Sequence, residues 1–374
     1  VTTGYSATVS SDQITITAPR RLGMAINGTS PVYSTTGSTT ASETAFSGGT
    51  FSYNALWHYH ISEYFRIQPQ GQLFVGFFDY GTYNFAELVT MQTFANGKIR
   101  QVGIFQNDTY FSGAPAAIQT VCNELAAMHM PLSVIYGADF TGQDLTALED
   151  LNTYAANDVS VIIGQDGAGQ GNYLWLTGEQ SVTTLGATLG AVSLAKVSDD
   201  IAWVGKFNMS NGSELDTLKF ATGDAVNGQP QSLLNNIDDK RYIFLIKYVG
   251  ISGSYFNDSH CAIAVTSDYA YIENNRTIDK AIRGVYSSML PNLNSPITLN
   301  SDGTLQDNTI AYFESQAGLN LTQMVRDSEL SAFGVTIDPT QNVLSTNNLT
   351  IAVKLVPVGV ARQITVNIGF TLSI

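Results

Sequence analysis

Charge is scarce in this chain. Asp, Glu, Lys and Arg make up 13% of its 374 residues, against 44% hydrophobic ones. Much of any folded surface therefore falls to Ser, Thr, Asn, Gln and Gly. Such a surface suits extensive polar contacts with neighbours, and it also occurs on secreted proteins. Positive charge is scarcest: 17 Lys and Arg stand against 31 Asp and Glu, a formal net charge of −14. No excess of cations exists to displace counterions from phosphates, so no direct nucleic-acid partner is expected. An anionic membrane surface is disfavoured for the same reason, whereas a basic partner surface would be attracted. Cysteine is nearly absent. Cys122 and Cys261 sit in apolar stretches far apart and read as buried free thiols, and two cysteines make no disulfide framework. No apolar run approaches the roughly 20 residues that span a bilayer, so no membrane insertion is expected. No signal peptide is visible, and the missing initiator Met is compatible with a processed start.

Catalytic signatures are missing as well. The run Gly164-Gln-Asp-Gly-Ala-Gly-Gln-Gly follows an expected strand, where a Gly-rich loop can cradle phosphates. No Lys-Ser/Thr follows it, and its spacing does not fit G-x-G-x-x-G. It reads as a flexible surface loop, with nucleotide or sugar binding by an α/β enzyme as the alternative. The stretch Trp57-His-Tyr-His-Ile reads as a strand that puts His58 and His60 on one face near Glu63, which could begin a metal site. The remaining histidines, His129 and His260, are isolated, so no third ligand is evident. Asp139, Asp166 and Asp258 lie near expected strand ends, and carboxylate pairs of this kind serve glycoside hydrolysis; nothing singles these three out. No G-x-S-x-G elbow and no cysteine–histidine nucleophile signature is present. We therefore assign no catalytic residue, no cofactor and no metal. Asn-x-Ser/Thr triplets from Asn27 to Asn348 would matter only in a eukaryotic secretory path. A secreted carbohydrate-binding adhesin remains a further alternative, suggested by the acidic, Asn- and Thr-rich surface.

What is present is an alternation of periods. The length predicts two or three domains. Residues 1–20 read as an arm, in which Ile14-Thr-Ile-Thr alternates before Pro19. Residues 21–59 form a Ser/Thr/Gly-rich segment. Over 60–237 we expect an α/β domain, with strands at Gln72–Asp79, Lys98–Phe105, Pro131–Tyr136 and Asp158–Gly164. Between them come helices at Asn84–Ala95, Pro115–His129, Asp144–Ala156 and Glu179–Lys196. Strands alternating with helices of this length imply right-handed crossovers and a mixed, largely parallel sheet flanked by helices. In the helix at 179–196, Gly186, Ala187, Gly190 and Ala191 allow close packing. Residues 238–374 form a second, α+β region. Arg241–Val249 is apolar on both faces and predicts a central strand, followed by a strand at Cys261–Val265. A helix after Asn275 places Ile278, Ala281, Ile282, Val285 and Met289 on one stripe. A second helix spans about Gln306 to Asp327, with a break expected near Gly318. Strands follow at Asn348–Val356 and Arg362–Leu372. The last alternates strictly: Ile364, Val366, Ile368, Phe370 and Leu372 on one face, Thr365, Asn367, Gly369 and Thr371 on the other.

This C-terminal region resembles the tail sheath proteins of contractile bacteriophages and related contractile injection systems. The resemblance rests on Asn274-Asn-Arg-Thr-Ile-Asp-Lys-Ala, Leu293-Asn-Ser-Pro-Ile, Asp302-Gly-Thr-Leu, Ile337-Asp-Pro-Thr-Gln-Asn-Val-Leu, Val356-Pro-Val-Gly and Ile364-Thr-Val-Asn-Ile-Gly-Phe. It extends upstream through Asn96-Gly-Lys-Ile-Arg-Gln-Val-Gly-Ile, Gly186-Ala-Thr-Leu-Gly-Ala, Ile201-Ala-Trp-Val and the run from Arg241-Tyr-Ile-Phe to Gly253-Ser-Tyr-Phe-Asn-Asp, most of residues 60–374. It implies a structural subunit, not an enzyme, with an inner domain built from both chain ends and an outer middle. Terminal strands carrying Ile14, Ile16, Ile364, Val366, Ile368, Phe370 and Leu372 would reach into neighbouring copies and form a helical homo-oligomer. Alternating terminal strands suit such β-augmentation. The resemblance further implies a tail tube protein, baseplate proteins and a tail terminator as partners. It places the protein in a virion tail or contractile injection particle assembled in a bacterial host cytoplasm. A helix of the C-terminal domain faces the tube in that family. By position it is the helix at 306–327, with Asp307, Glu314, Gln316, Arg326 and Asp327 as candidate contacts.

Overall fold

The computed structural model describes residues 5–10, 13–17, 28–30, 42, 44–47, 53–79, 83–366 and 370. A hairpin comes first, β1 (Ser6–Ser10) with β2 (Gln13–Thr17). Next are α1 (Tyr53–Ile67), α2 (Glu87–Phe94), β3 (Gln101–Thr109), α3 (Ala114–Ala127), β4 (Ser133–Asp139) and β5 (Val159–Ile162). They are followed by β6 (Gly164–Asp166), α4 (Gln170–Gly178), α5 (Leu185–Leu194), β7 (Leu218–Phe220), α6 (Gln231–Asp239), β8 (Tyr242–Ile243), β9 (Leu245–Ile246) and β10 (Tyr255–Phe256). The last of the described elements are α7 (Ile272–Met289), α8 (Asp307–Arg326), β11 (Leu330–Thr336), α9 (Val343–Thr346) and β12 (Ala352–Pro357).

The expected class is found: a parallel sheet flanked by helices in the middle of the chain, and an α+β unit after it. The sheet has the order β3-β4-β5-β8, all parallel. β5 is buried throughout and β4 from Ser133 to Ala138. Burial on both faces is why their sequences run apolar without alternating. Pro115 lies in the first turn of α3, where its missing N–H costs nothing. Its stripe of Ile118, Val121, Cys122 and Leu125 is buried. Both cysteines are buried free thiols; burial pushes the Cys261 thiol up to about 12. The sheet continues through Ile243, past the boundary expected at residue 237. In the C-terminal unit β11 and β12 pair antiparallel. Their inner residues Phe333, Val335, Val353 and Leu355 pack on Ala281 of α7 and on Leu321 and Met324 of α8.

Several expectations are corrected. Trp57–Ile61 is part of α1, not a strand; the longer repeat of buried Leu56, Tyr59, Glu63 and Tyr64 outweighs five alternating residues. Gln72–Asp79 forms no ladder among the described residues and presents Phe74, Val75, Phe77 and Phe78 at the surface. Asp144–Ala156 contains only a 3-10 turn at Leu151–Thr153. There Asp144 accepts from the Thr146 amide at 2.8 Å and Asp150 from the Asn152 amide at 3.0 Å, local bonds that compete with a helix. Leu145 and Leu148 are buried, but Ala155 is exposed with φ 42°. The run Arg241–Val249 changes sheets at Phe244, whose amide donates to Asn257 (2.8 Å); β8 joins the parallel sheet and β9 pairs with β10. Cys261–Val265 contributes only the bridge Ala156↔Ala262. α8 continues unbroken through Gly318, where the Phe333 ring lies close. Residues 362–366 form no strand in the isolated chain.

On α7 the stripe is also not as expected. Ala281, Val285 and Met289 pack inward, but Ile282 is exposed. The buried side of its first half is polar instead: Glu273, Asn275, Thr277 and Asp279. Asn275 donates to the Asn157 carbonyl (2.7 Å) and Thr277 to that of Val197 (3.3 Å), so α7 is fastened to the middle of the chain by hydrogen bonds. Burial, then the charge of Asp158, pushes the Asp279 carboxyl up to about 7, against the pull of Arg283 and Arg100. A folded-state pKa above the unfolded value means that the folded chain binds the extra proton. Stability is then lost as pH rises from about 4 to 7. Asp279→Asn should make that fall shallower, by on the order of a few kcal/mol across the window. Thermal melts of both proteins from pH 4 to 8 check it; parallel curves would refute it.

Candidate assembly interface

The residues considered for chemistry do not converge. His58 and His60 fall on different sides of α1, and the buried His60 ring is held down to about 3 by desolvation. His129 stacks on Tyr286, and His260 pairs with Asp238 at 2.9 Å. Among the described residues no three His, Cys, Asp or Glu side chains form a metal-binding group. The Gly164–Gly171 run is β6 followed by the start of α4, and within it the Gly167 amide donates to the Thr217 carbonyl at 2.8 Å. Asp166 accepts from the amides of Leu215 (2.9 Å) and Asn172 (3.2 Å), and Glu214 from that of Gln170 (2.8 Å). Asp139 is likewise engaged, by the amides of Thr141 and Ser181, each at 2.9 Å. A cavity of about 590 Å³ lies between α1, α2, β3 and α5, walled largely by apolar residues such as Trp57, Phe77, Met91 and Leu185.

Exposed apolar strand sequence, by contrast, collects at the two ends. In the hairpin Ala7 pairs with Ile16 and Val9 with Ile14, and every residue of both strands is exposed. A two-stranded hairpin with neither face covered is marginal alone. At the other end Ile364 and Val366 are 81% and 70% exposed, and Phe370 is fully exposed. Ile368 and Leu372 lie outside the described residues. Between these ends, β11–β12 has no third strand on either edge among the described residues.

The residues named on α8 do not share one face. Asp307 and Arg326 are exposed. Glu314 turns toward β11 and accepts from the Ile337 amide at 3.2 Å, Gln316 is half-buried, and Asp327 caps the helix and accepts from Gln323 at 2.9 Å. The outward stripe is Asn308, Tyr312, Ser315, Leu319, Thr322 and Arg326, spaced alternately four and three apart and carrying a single charge.

One group was missed in the sequence. Arg362 reaches back across the chain to three carboxylates. Its Nε lies 3.0 Å from Asp258, its guanidinium pairs with the buried Glu273, and Asp200 is 3.3 Å away. The guanidinium carbon also sits 3.4 Å from the ring centre of Tyr271. Burial works against the charge on Arg362, but Asp258, Glu273 and Asp200 outweigh it and hold its pKa above the ordinary value. Burial, with the charges of Glu273 and Asp258, pushes Asp200 up to about 7. The signal was available: Arg362 is the one charged residue after Lys354.

Two family models cover nearly the whole chain. The DUF2586 N-terminal domain matches residues 23–260, and the DUF2586 C-terminal domain matches residues 268–374. The chain belongs to the DUF2586 family. Asp200 and Asp258 thus lie in its N-terminal domain, Glu273 and Arg362 in its C-terminal domain. No curated protein sequence matches this DUF2586 chain. Among solved structures, a chain of the anti-feeding prophage (AFP) helical sheath in its contracted state matches with a TM-score of 0.56. The two are 13% identical, over 84% of this chain and 82% of that one. A chain of the AFP baseplate, 6-fold symmetrised, matches with a TM-score of 0.53 at 12% identity, over 84% and 80%. At such identity the likeness is one of fold. It meets the resemblance read from the sequence, since both of these chains are parts of AFP, one of them its helical sheath.

Proposed function

We propose that this DUF2586 protein is a structural subunit of a contractile tail sheath. The observation that carries the reading is the set of exposed, alternating, apolar strand sequences at the two ends of a chain with the fold of an AFP sheath subunit. The N-terminal hairpin, with Ile14 and Ile16, and the C-terminal arm, with Ile364, Val366, Ile368, Phe370 and Leu372, pair with neighbouring copies. The open edges of β11–β12 are the acceptors closest to hand, because their inner face is already packed on α7 and α8. Exposed edges that endanger a monomer are covered in the polymer.

In this reading the subunits assemble around a tail tube, bounded by baseplate and terminator proteins, in an extended, metastable lattice. On triggering they repack into a shorter, wider and more stable one and drive the tube through a target envelope. The energy is stored at assembly behind a kinetic barrier, so no fuel is consumed. The outward stripe of α8, flanked by Asp307 and ending at Arg326, faces the tube. Such particles assemble in a bacterial cytoplasm and belong to a phage tail or an injection device. Negative-stain microscopy of the purified protein tests the reading. Hollow, striated tubes are expected; discrete monomers at every concentration and ionic strength would overturn it.

A further inference from the structure

The C-terminal arm does not leave the body at β12. After Pro357 the chain crosses to a site formed by Asp200, Asp258 and Glu273, and Arg362 is seated there. The socket is built from inside the body. Asp200 is held by the Ala202 amide at 2.8 Å, Asp258 by the Ser259 amide at 2.8 Å, and Glu273 by the Ser259 hydroxyl at 2.6 Å. Each carboxylate therefore keeps its place without the arm, and the three present charge to one planar, forked cation above an aromatic ring. The Arg362 side chain is only 25% exposed, yet residues 363–366 immediately after it are exposed and form no ladder among the described residues. Among the described residues, the Arg362 side chain is the last contact between the arm and the body.

We propose that Arg362 is the positioning residue of the C-terminal arm, a fixed pivot that sets where the arm departs and so which neighbouring edge it can reach. The inference rests on the reading of the arm as an inter-subunit strand. A pivot allows the segment beyond it to swing while its origin stays put, and because the socket joins the N- and C-terminal DUF2586 domains, that origin moves with both. Fixing the origin lowers the conformational freedom that pairing must remove, which strengthens pairing without any new contact.

The test uses the full chain carrying spin labels at Gln363→Cys and at Ala126→Cys on the exposed side of α3; the native thiols are buried. The parent should give a narrow label-to-label distance distribution as a monomer. Arg362→Ala should broaden it at least about twofold and raise the concentration needed for tube formation roughly tenfold or more. Arg362→Lys, which keeps the charge but loses the fork, should fall between. Removing the guanidinium leaves three facing carboxylates, so Arg362→Ala combined with Glu273→Gln serves where the single variant melts early. Both should keep the parent's circular dichroism. An unchanged distribution in a folded variant, or a broadened one with unchanged assembly, would overturn the pivot. If the parent forms no tubes, the sheath reading fails, and the distance distribution still decides whether Arg362 anchors the segment.

Discussion

Gly186→Val should unfold the middle of the chain, or lower its Tm by roughly 5–10 °C. α5 lies against α1 with Gly186 and Gly190 one turn apart on the contact. A Cβ at Gly186 would overlap the backbone carbonyl of His60, and one at Gly190 would come within 2.9 Å of the Tyr64 carbonyl oxygen and the Ile67 Cβ. Backbone cannot rotate away as a side chain can, so the helices must separate. Separation opens the packing of Leu185 and Val192 over the parallel sheet. Overpacking a core typically costs about 1–3 kcal/mol, and a backbone clash between two helices belongs at the top of that range or above it. Gly334→Ala is the control, because a Cβ there meets nothing within 4 Å. Thermal melts decide: equal Tm for Gly186→Val and the parent would mean that α1 and α5 do not pack as described.

That α5 packs closely was legible from the small residues of Gly186–Ala191, although its partner α1 was not expected and the helix proved shorter than expected. The central sheet was legible for a related reason. Strands buried on both faces, such as β4 over Val134–Ala138, run largely apolar, and few other arrangements produce such runs between helices. The failures came where local pattern met tertiary context. Trp57–Ile61 alternates over five residues, but the helical repeat needs the wider window from Tyr53 to Ile67 to appear. Gln72–Asp79 has strand composition, yet strand formation requires a partner that the described residues do not supply. The same holds for residues 362–366. Composition makes a segment able to form a strand, while pairing depends on what lies beside it. Of the candidate site, the alternating ends were readable directly. The Arg362 socket was not, because Asp200, Asp258 and Glu273 come together only once α7 is docked. Asp258 reads in the sequence as one of several candidate hydrolytic carboxylates, whereas in the fold it pairs with the guanidinium of Arg362.

Removing residues 363–374 should leave the body folded and abolish long tubes. Arg362 stays in its socket, so the cut begins beyond the described contacts that tie the arm to the body. The described arm residues are exposed, and their loss should move the monomer's Tm by no more than a degree or two, within the usual reach of surface changes. Assembly is a different matter. Burying Ile364, Val366, Ile368, Phe370 and Leu372 against a neighbour is worth roughly 1.5–3 kcal/mol for each side chain fully covered. Losing even two of those contacts weakens each junction by two to four powers of ten, at about 1.4 kcal/mol per tenfold. A helical lattice repeats the loss at every subunit. Val366→Pro should act almost as strongly by a different route. Proline removes one ladder donor and fixes φ, which an added strand tolerates only where that amide points away from its neighbours. Val366→Ile keeps shape and donor and should assemble normally. Sedimentation and negative-stain microscopy of the three variants read the result directly. Tubes of parental length from the truncated chain would place the inter-subunit contacts elsewhere, with the outward face of α8 and the N-terminal hairpin as the surfaces left to carry them.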